Sequence, residues 1–296
     1  MENIQGEARE LDAAALVEAA IRAFYEAALE GRLGDDARIL PEPAIGFSNG
    51  ADPLYAQLKV DIGAPFLTPL EVFQAELPAV DALADELTVI CYVIPVSPDA
   101  RTDNRRETLY PAESWARAKI AGKALVEKLS GHLVDMLAAV GVEAVVPEFA
   151  SGYVIGPSKR HGFAASWSER HAAYVSGLGS FGLCDGFITE LGKAVRLGSL
   201  VARMPAAPTP RRSEDPFADC LHHAHGTCDA CIRRCPVGAI STKGHDKMLC
   251  YEHCFGDALA YVKRSYGLDE YACGLCQTGV PCESRRPVCE AGRSAF

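Results

Sequence analysis

A mixed α/β fold of the α+β kind, followed by a cysteine-rich metal-binding tail, is what this 296-residue sequence predicts, and three observations carry it. The run "LTVICYVIPV", Leu87 to Val96, is apolar and β-branched and reads as a buried strand ended by Pro95 and Pro98. Ser114 to Val140 reads as a long amphipathic helix: Ala118, Ala121, Leu125, Leu129, Leu133, Leu137 and Val140 recur every three or four residues, and Gly141 ends it. Ten of the twelve cysteines fall between Cys220 and Cys289, so the last part of the chain obeys a different chemistry from the rest.

The other elements follow in order. "LDAAALVEAAIRAFYEAALE" has helical spacing near the start, with Gly31 as its stop. Arg32 to about Pro78 is rich in turn signals, "EPAIGFSNGADPLY" most of all, and reads as loops. After the central strand and long helix, "VEAVVPEF" reads as a strand, as do "GFIT" and "AVRLGSLVA" further on. A helix between strands points to layered α/β packing. The proline- and charge-rich "MPAAPTPRRSEDP" marks a boundary between a domain at 1–204 and a second at 217–296.

Bulk properties narrow the function. A net charge of −10 argues against nucleic acid, whose phosphates need a basic face. The longest apolar run is far too short to span a bilayer. The start, "MENIQGEARELDAA", lacks the basic and apolar regions of an export signal, so a reducing, cytoplasmic setting is expected.

The tail carries "GTCDACIRRCPVGAI", with Cys228, Cys231 and Cys235 followed by Pro236; then "CYEHC", with Cys250 and Cys254; then "CGLCQTGVPC", with Cys273, Cys276 and Cys282. Bacterial ferredoxins space their ligands C-x2-C-x2-C-x3-C-P, the last cysteine serving the other of two clusters. Here the first position falls on His225. Zinc ribbons and disulfides are the alternatives, and the Cys-Pro ending followed by "VGAI" favours clusters over both. The crossing rule assigns Cys220, Cys228, Cys231 and Cys282 to one 4Fe–4S cluster and Cys235, Cys250, Cys273 and Cys276 to the other. His225 and Cys289 are the alternatives to Cys220 and Cys282. Cys91, Cys184 and Cys254 are expected to be buried apolar fillers.

"SGLGSFGLCDG" contains G-x-G-x-x-G, but it follows a helix, "SERHAAYV", and precedes a strand, the reverse of a dinucleotide-binding loop. It is read either as a tight turn or as a backbone surface that a planar cofactor can approach.

From Ser168 to Cys282, the order of "ERHAAYVSGLGSFGLCDGFITELGKAVRLGSLV", linker and "CDACIRRCPVGAI" resembles the corrinoid-dependent iron–sulfur reductases, namely the reductive dehalogenases and epoxyqueuosine reductase. The resemblance implies a nitroreductase-like domain holding cobalamin or another corrinoid, then a ferredoxin-like domain with two 4Fe–4S clusters. It places Glu169, Arg170, Gly177, Gly179, Gly182 and Ser199 beside the corrinoid. Flavin and haem are the alternative cofactors. Departures are Phe163 where epoxyqueuosine reductase has its catalytic aspartate, and Leu183 where a lysine is common. Candidate proton donors on the approach to the loop are Tyr153, Lys159, Arg160, His161 and His171. The expected activity is reduction of a small organic substrate with electrons from ferredoxin or flavodoxin, with no nucleic-acid or membrane partner; the alternative is a protein that only carries electrons or corrinoid for another enzyme.

Overall fold

The computed structural model describes residues 12–33, 41–63, 65–158 and 162–287. Helix α1 (Ala13–Leu33) leads to strand β1 (Ala44–Asn49), α2 (Pro53–Ile62), α3 (Pro69–Glu76), β2 (Thr88–Pro95), α4 (Pro98–Arg106) and α5 (Glu113–Ala139). Then come β3 (Ala144–Val145), β4 (Ile155–Ser158), β5 (Gly162–Ala165), α6 (Glu169–Val175), β6 (Gly179–Phe181), β7 (Phe187–Thr189) and β8 (Val195–Ala202). The tail holds α7 (Leu221–His225), α8 (Ala230–Arg234), β9 (Ile240–Ser241), β10 (Gly244–His245), α9 (Lys247–His253) and α10 (Leu259–Tyr266), with a π-helical turn at Cys254–Ala258 between the last two.

The main sheet has the order β1-β2-β8-β3, and all its pairings are antiparallel. Every residue of β2 is buried, and its alternation divides two cores. Val89, Cys91 and Val93 face α6 and α2, packing with Trp167, Ala172, Val175 and Tyr55. Ile90, Tyr92 and Ile94 face α1 and α5, packing with Val17, Ile21, Leu129, Leu133 and Leu137. The result is three layers, helices on both faces of an antiparallel sheet, which is the α+β form of the expected class.

Several elements differ from the sequence reading. Helix α1 passes through Gly31, because a glycine weakens a helix without stopping it. Strand β1 lies inside the stretch read as loops. Its glycines serve close packing: a Cβ at Gly46 would meet the Ser176 carbonyl, and one at Gly50 would lie 2.6 Å from the Ala84 carbonyl. "VEAVVPEF" gives only the two-residue β3, since Pro147 opens a 3-10 turn. After β2, whose last residue is Pro95, Ser97 caps α4 with Pro98 in its first turn, so the second of the two prolines begins a helix.

The tail returns to the sheet. Lys193 N donates to the Cys282 carbonyl at 2.7 Å, and Ala194 N to that of Glu283 at 2.9 Å. The stretch between sheet and tail is pinned to β1, through Phe47 N to Thr209 Oγ1 at 2.9 Å and Arg211 to Asp52 at 2.9 Å.

Leu133 is fully buried between α5 and the sheet. Leu133→Ala is expected to destabilise the protein by about 2–5 kcal/mol, read as a lower urea midpoint at unchanged slope.

Candidate functional site

The tail sorts its cysteines into two groups. Cys220, Cys228, Cys231 and Cys282 line one small cavity, of about 20 Å³. Cys235, Cys250, Cys273 and Cys276 line another, of about 280 Å³, together with Cys184 and Cys254. Helix α8 explains how near neighbours diverge: Cys231 is helical, while Cys235 leaves the helix in an extended conformation, and Pro236 stops it. Cys235 Sγ instead accepts from Ala239 N at 3.2 Å. His225 is exposed at the end of α7 and lines neither cavity, whereas Cys220 is buried in the first. Cys289 lies outside the described residues.

Among the described residues, no three His, Cys, Asp or Glu side chains form a group that could hold a single metal ion. The thiols surround spaces instead. That is the arrangement a many-atom cluster asks for, although the first group must part to admit one.

Two thiols expected to be fillers lie among these groups. Cys254 Sγ, in the π-helical turn that follows α9, is 3.9 Å from Cys250 Sγ on that helix. Cys184, at the tip of the β6–β7 hairpin, adjoins Cys231 and Cys276, and Lys193 Nζ donates to its sulfur at 3.2 Å. Cys231 and Cys276, then Lys193, hold the Cys184 thiol well below its usual range. Burial opposes the charge on Lys193, but the surrounding thiols, Cys184 first, raise its pKa.

A cavity of about 410 Å³ lies between α5, the start of α6, β8 and the tail at Glu270–Gln277. It shares Lys119, Arg170, Gly186, Arg196, Tyr271 and Gln277 with the wall of the second cysteine cavity, so the two spaces adjoin. Burial shapes its charges. It pushes Glu169 up to about 8, with Glu148 adding to the effect, and it also raises Glu148. It brings Arg196 down to about 10 and lowers Lys119, even though Lys119 donates to Glu270 at 3.0 Å and sits over the Tyr271 ring. Trp167 Nε1 donates to Ser199 Oγ at 2.9 Å beneath the cavity.

Of the residues singled out from sequence, Tyr153, Glu169 and Arg170 line this cavity, and Ser199 supports Trp167 below it. The three loop glycines do not line it. Gly177, at φ 73°, makes room for the carbonyls of Thr209 and Pro210; Gly179 is closed by the Ile188 carbonyl; Gly182 accommodates Gly186 and Ile188. The chain itself fills the space that glycine leaves, so the close-approach reading gives way to the turn reading there. His171 turns elsewhere: its Nδ1 meets Ser168 Oγ at 2.8 Å, and its ring lies against Phe66 and Phe181. Lys159, Arg160 and His161 are outside the described residues. The sequence reading missed Glu148, Lys119, Lys193 and Arg196, which no motif marks. Their only signal is charge within otherwise apolar segments.

No family model matches the chain, and no curated protein does. Solved structures do. A catabolic reductive dehalogenase aligns with TM-score 0.50 and 16% identity over 89% of this chain and 32% of its own. The same protein in complex with 3-bromo-4-hydroxybenzoic acid gives 0.53 and 15% over the same shares. Epoxyqueuosine reductase from Bacillus subtilis gives 0.47 and 19%, over 94% of this chain and 68% of its own. The fold is thus that of the reductive dehalogenases, in agreement with the resemblance read from the motifs, and this chain spans about a third of their length.

Glu283, buried next to Cys282, accepts from Arg105 Nε at 2.8 Å and from Gly279 N at 2.7 Å. Arg105→Ala leaves that carboxylate short of its cation and should cost about 1–3 kcal/mol in urea unfolding; Glu283→Gln, which can keep a hydrogen bond to Arg105, should cost less.

Proposed function

We propose that this chain is an iron–sulfur reductase that takes low-potential electrons through two 4Fe–4S clusters to a corrinoid and an organic substrate in the large cavity. The observation that carries the reading is the partition of the eight predicted ligand cysteines into two cavities, the second sharing a wall with the large one. Cys220, Cys228, Cys231 and Cys282 would hold one cluster, and Cys235, Cys250, Cys273 and Cys276 the other. When bound, these groups supply one-electron transfer and a metal centre that reduces an organic bond.

The donor set fits. Eight thiols stand in two groups, Cys220 and Cys231 buried and the others partly so, and the buried ammonium of Lys193 lies near Cys282, Cys276 and Cys231. The fit to a corrinoid is closer for the ring than for the whole molecule. Cavities of about 410 and 280 Å³ are the size that buries a drug-sized ligand, and a corrinoid with its nucleotide tail is larger. Around that space the chain offers Trp167, Tyr153 and Tyr271 as flat apolar walls, and Arg170, Arg196 and Lys119 as cations. A reduced ferredoxin- or flavodoxin-type protein is the electron source this reading requires. The alternative, a carrier that makes no product, is disfavoured because two groups able to bear a proton, Tyr153 and Glu169, line the cavity.

Anaerobically prepared protein should contain about eight iron and about eight sulfide per chain. Cys231→Ser and Cys235→Ser should each remove about half, each erasing a different set of paramagnetic resonance signals; zinc without sulfide overturns the cluster assignment. Titration of cluster-loaded protein with hydroxocobalamin should give a saturable spectral change. Saturation with FMN or haemin in its place would identify a different occupant.

A further inference from the structure

We propose that Glu169 is held protonated at neutral pH and gives its proton to the compound reduced in the large cavity, an assignment that rests on the reductase reading above. The argument starts from its surroundings. Glu169 opens α6, and both carboxylate oxygens are out of solvent with no hydrogen-bond partner, although the residue lines the cavity. An ionised carboxylate in such a place loses its hydration and gains only the weak approach of Ser199 and Trp167 in return, so the neutral acid is the favoured form. Ser199 and Trp167 lower its pKa only in part, since the Trp167 N–H is already given to Ser199.

Most cations around the cavity have other partners, although Arg196 Nε has none. Lys119 of α5 donates to Glu270 and covers Tyr271. Lys123 of α5 stands 4.0 Å from Glu270 and favours ionised Glu148. Lys193 is given to Cys184. Arg196 of β8 donates to the Val195 carbonyl and lies over Trp115. Arg170, next in the chain, also borders the cavity, and no ion pair joins it to Glu169. The other groups near Glu169 are Glu148, Tyr153, and Cys91 and Tyr92 of β2, none of which supplies positive charge. Two carboxyls facing one poorly hydrated space with their counter-ions engaged elsewhere cannot both ionise easily, and Glu169 is the deeper of the two.

The step balances. An organic compound R–X receives two electrons, one at a time, from a reduced ferredoxin- or flavodoxin-type donor. The R–X bond breaks with X⁻ leaving on its electron pair, the O–H bond of Glu169 breaks, and a C–H bond forms. Glu169 is left as a carboxylate and takes a new proton from solvent. Tyr153 also lines the cavity, but its hydroxyl is held above its ordinary value by burial, so it is the weaker acid.

The decisive test needs no cofactor. Infrared spectra of the purified protein should show the C=O stretch of a protonated carboxylic acid at pH 7, shifting in D₂O and fading as pH rises through about 8. Glu169→Gln should remove the band, whereas Glu169→Asp and Glu148→Gln should keep one. A band absent at pH 7, or untouched by Glu169→Gln, overturns the proposal.

Stability gives a second readout. The folded state binds this proton more tightly than the unfolded chain, whose carboxyl has the ordinary value of 4.5, so wild type should lose stability relative to Glu169→Gln as pH rises from 4.5 to about 8. With protein reconstituted with hydroxocobalamin, titanium(III) citrate as reductant and 3-bromo-4-hydroxybenzoate as probe, Glu169→Gln should lose about 10²-fold or more in debromination at unchanged iron content. Equal rates would overturn the donor role. If wild type shows the infrared band but no turnover, the reductase reading fails, and the donor role that rests on it falls as well, while the protonated state stands.

Discussion

A buried ammonium ties the two halves of this protein together. Lys193 sits just before β8, where its backbone N–H holds the Cys282 carbonyl at 2.7 Å and its side chain reaches Cys184 at 3.2 Å. A lysine is almost never buried without a counter-charge, because its desolvation costs several kcal/mol. Here the counter-charge comes from sulfur: Cys184, Cys282, Cys276 and Cys231 all favour its charged form. Of these only Cys184, on the hairpin, is held below its usual range; Cys184 and burial raise Cys231 and Cys276, and burial raises Cys282, so the charge that balances Lys193 sits on the hairpin. The tail is held to the sheet by backbone bonds, from Lys193 N to the Cys282 carbonyl and from Ala194 N to that of Glu283.

From that junction the large cavity follows. The β6–β7 hairpin carries Cys184 and Gly186, β8 carries Arg196, and the tail carries Tyr271 and Gln277. All reach one region because β8 begins where the tail docks. Gly192 makes the approach possible: at φ 83° its missing side chain leaves space for the backbone of Glu283 to Arg285. The cavity is thus a seam between the sheet and the returning tail, and it adjoins the cysteines without a separate channel.

What could be read from the sequence was what depends on local pattern. The β-branched run of β2 and the repeat in α5 gave their elements to within a residue or two, because one is buried on both faces and the other packs one stripe on the sheet. The cysteine spacing sorted eight cysteines into the quartets that line the two cavities, since a helix turn followed by proline sends Cys231 and Cys235 apart whatever surrounds them. Strand β1 was hidden because its glycines, ordinarily turn markers, are used against Ser176 and Ala84, contacts that only the tertiary fold creates. The glycine loop was legible as non-Rossmann from its order, yet its glycines turned out to face the chain. Lys193, Glu148 and Arg196 carry no motif at all. Their role comes from depth in the fold, and composition does not record depth.

The same point governs charge. The chain as a whole is strongly acidic, at −10, yet the cavity is not. Its wall holds Lys119, Lys123, Arg170, Lys193 and Arg196 against Glu148, Glu169 and Glu270. Burial raises the pKa of both Glu148 and Glu169, and Glu270 is committed to Lys119, so the carboxyls offset little of the positive charge. Lys193 is in turn balanced by sulfur. What remains is an interior that does not share the negative charge of the chain, most of its cations held by Glu270, Cys184 and the Val195 carbonyl. The net charge of the chain therefore says nothing about the charge of the cavity, which is set by a few side chains that the fold turns inward.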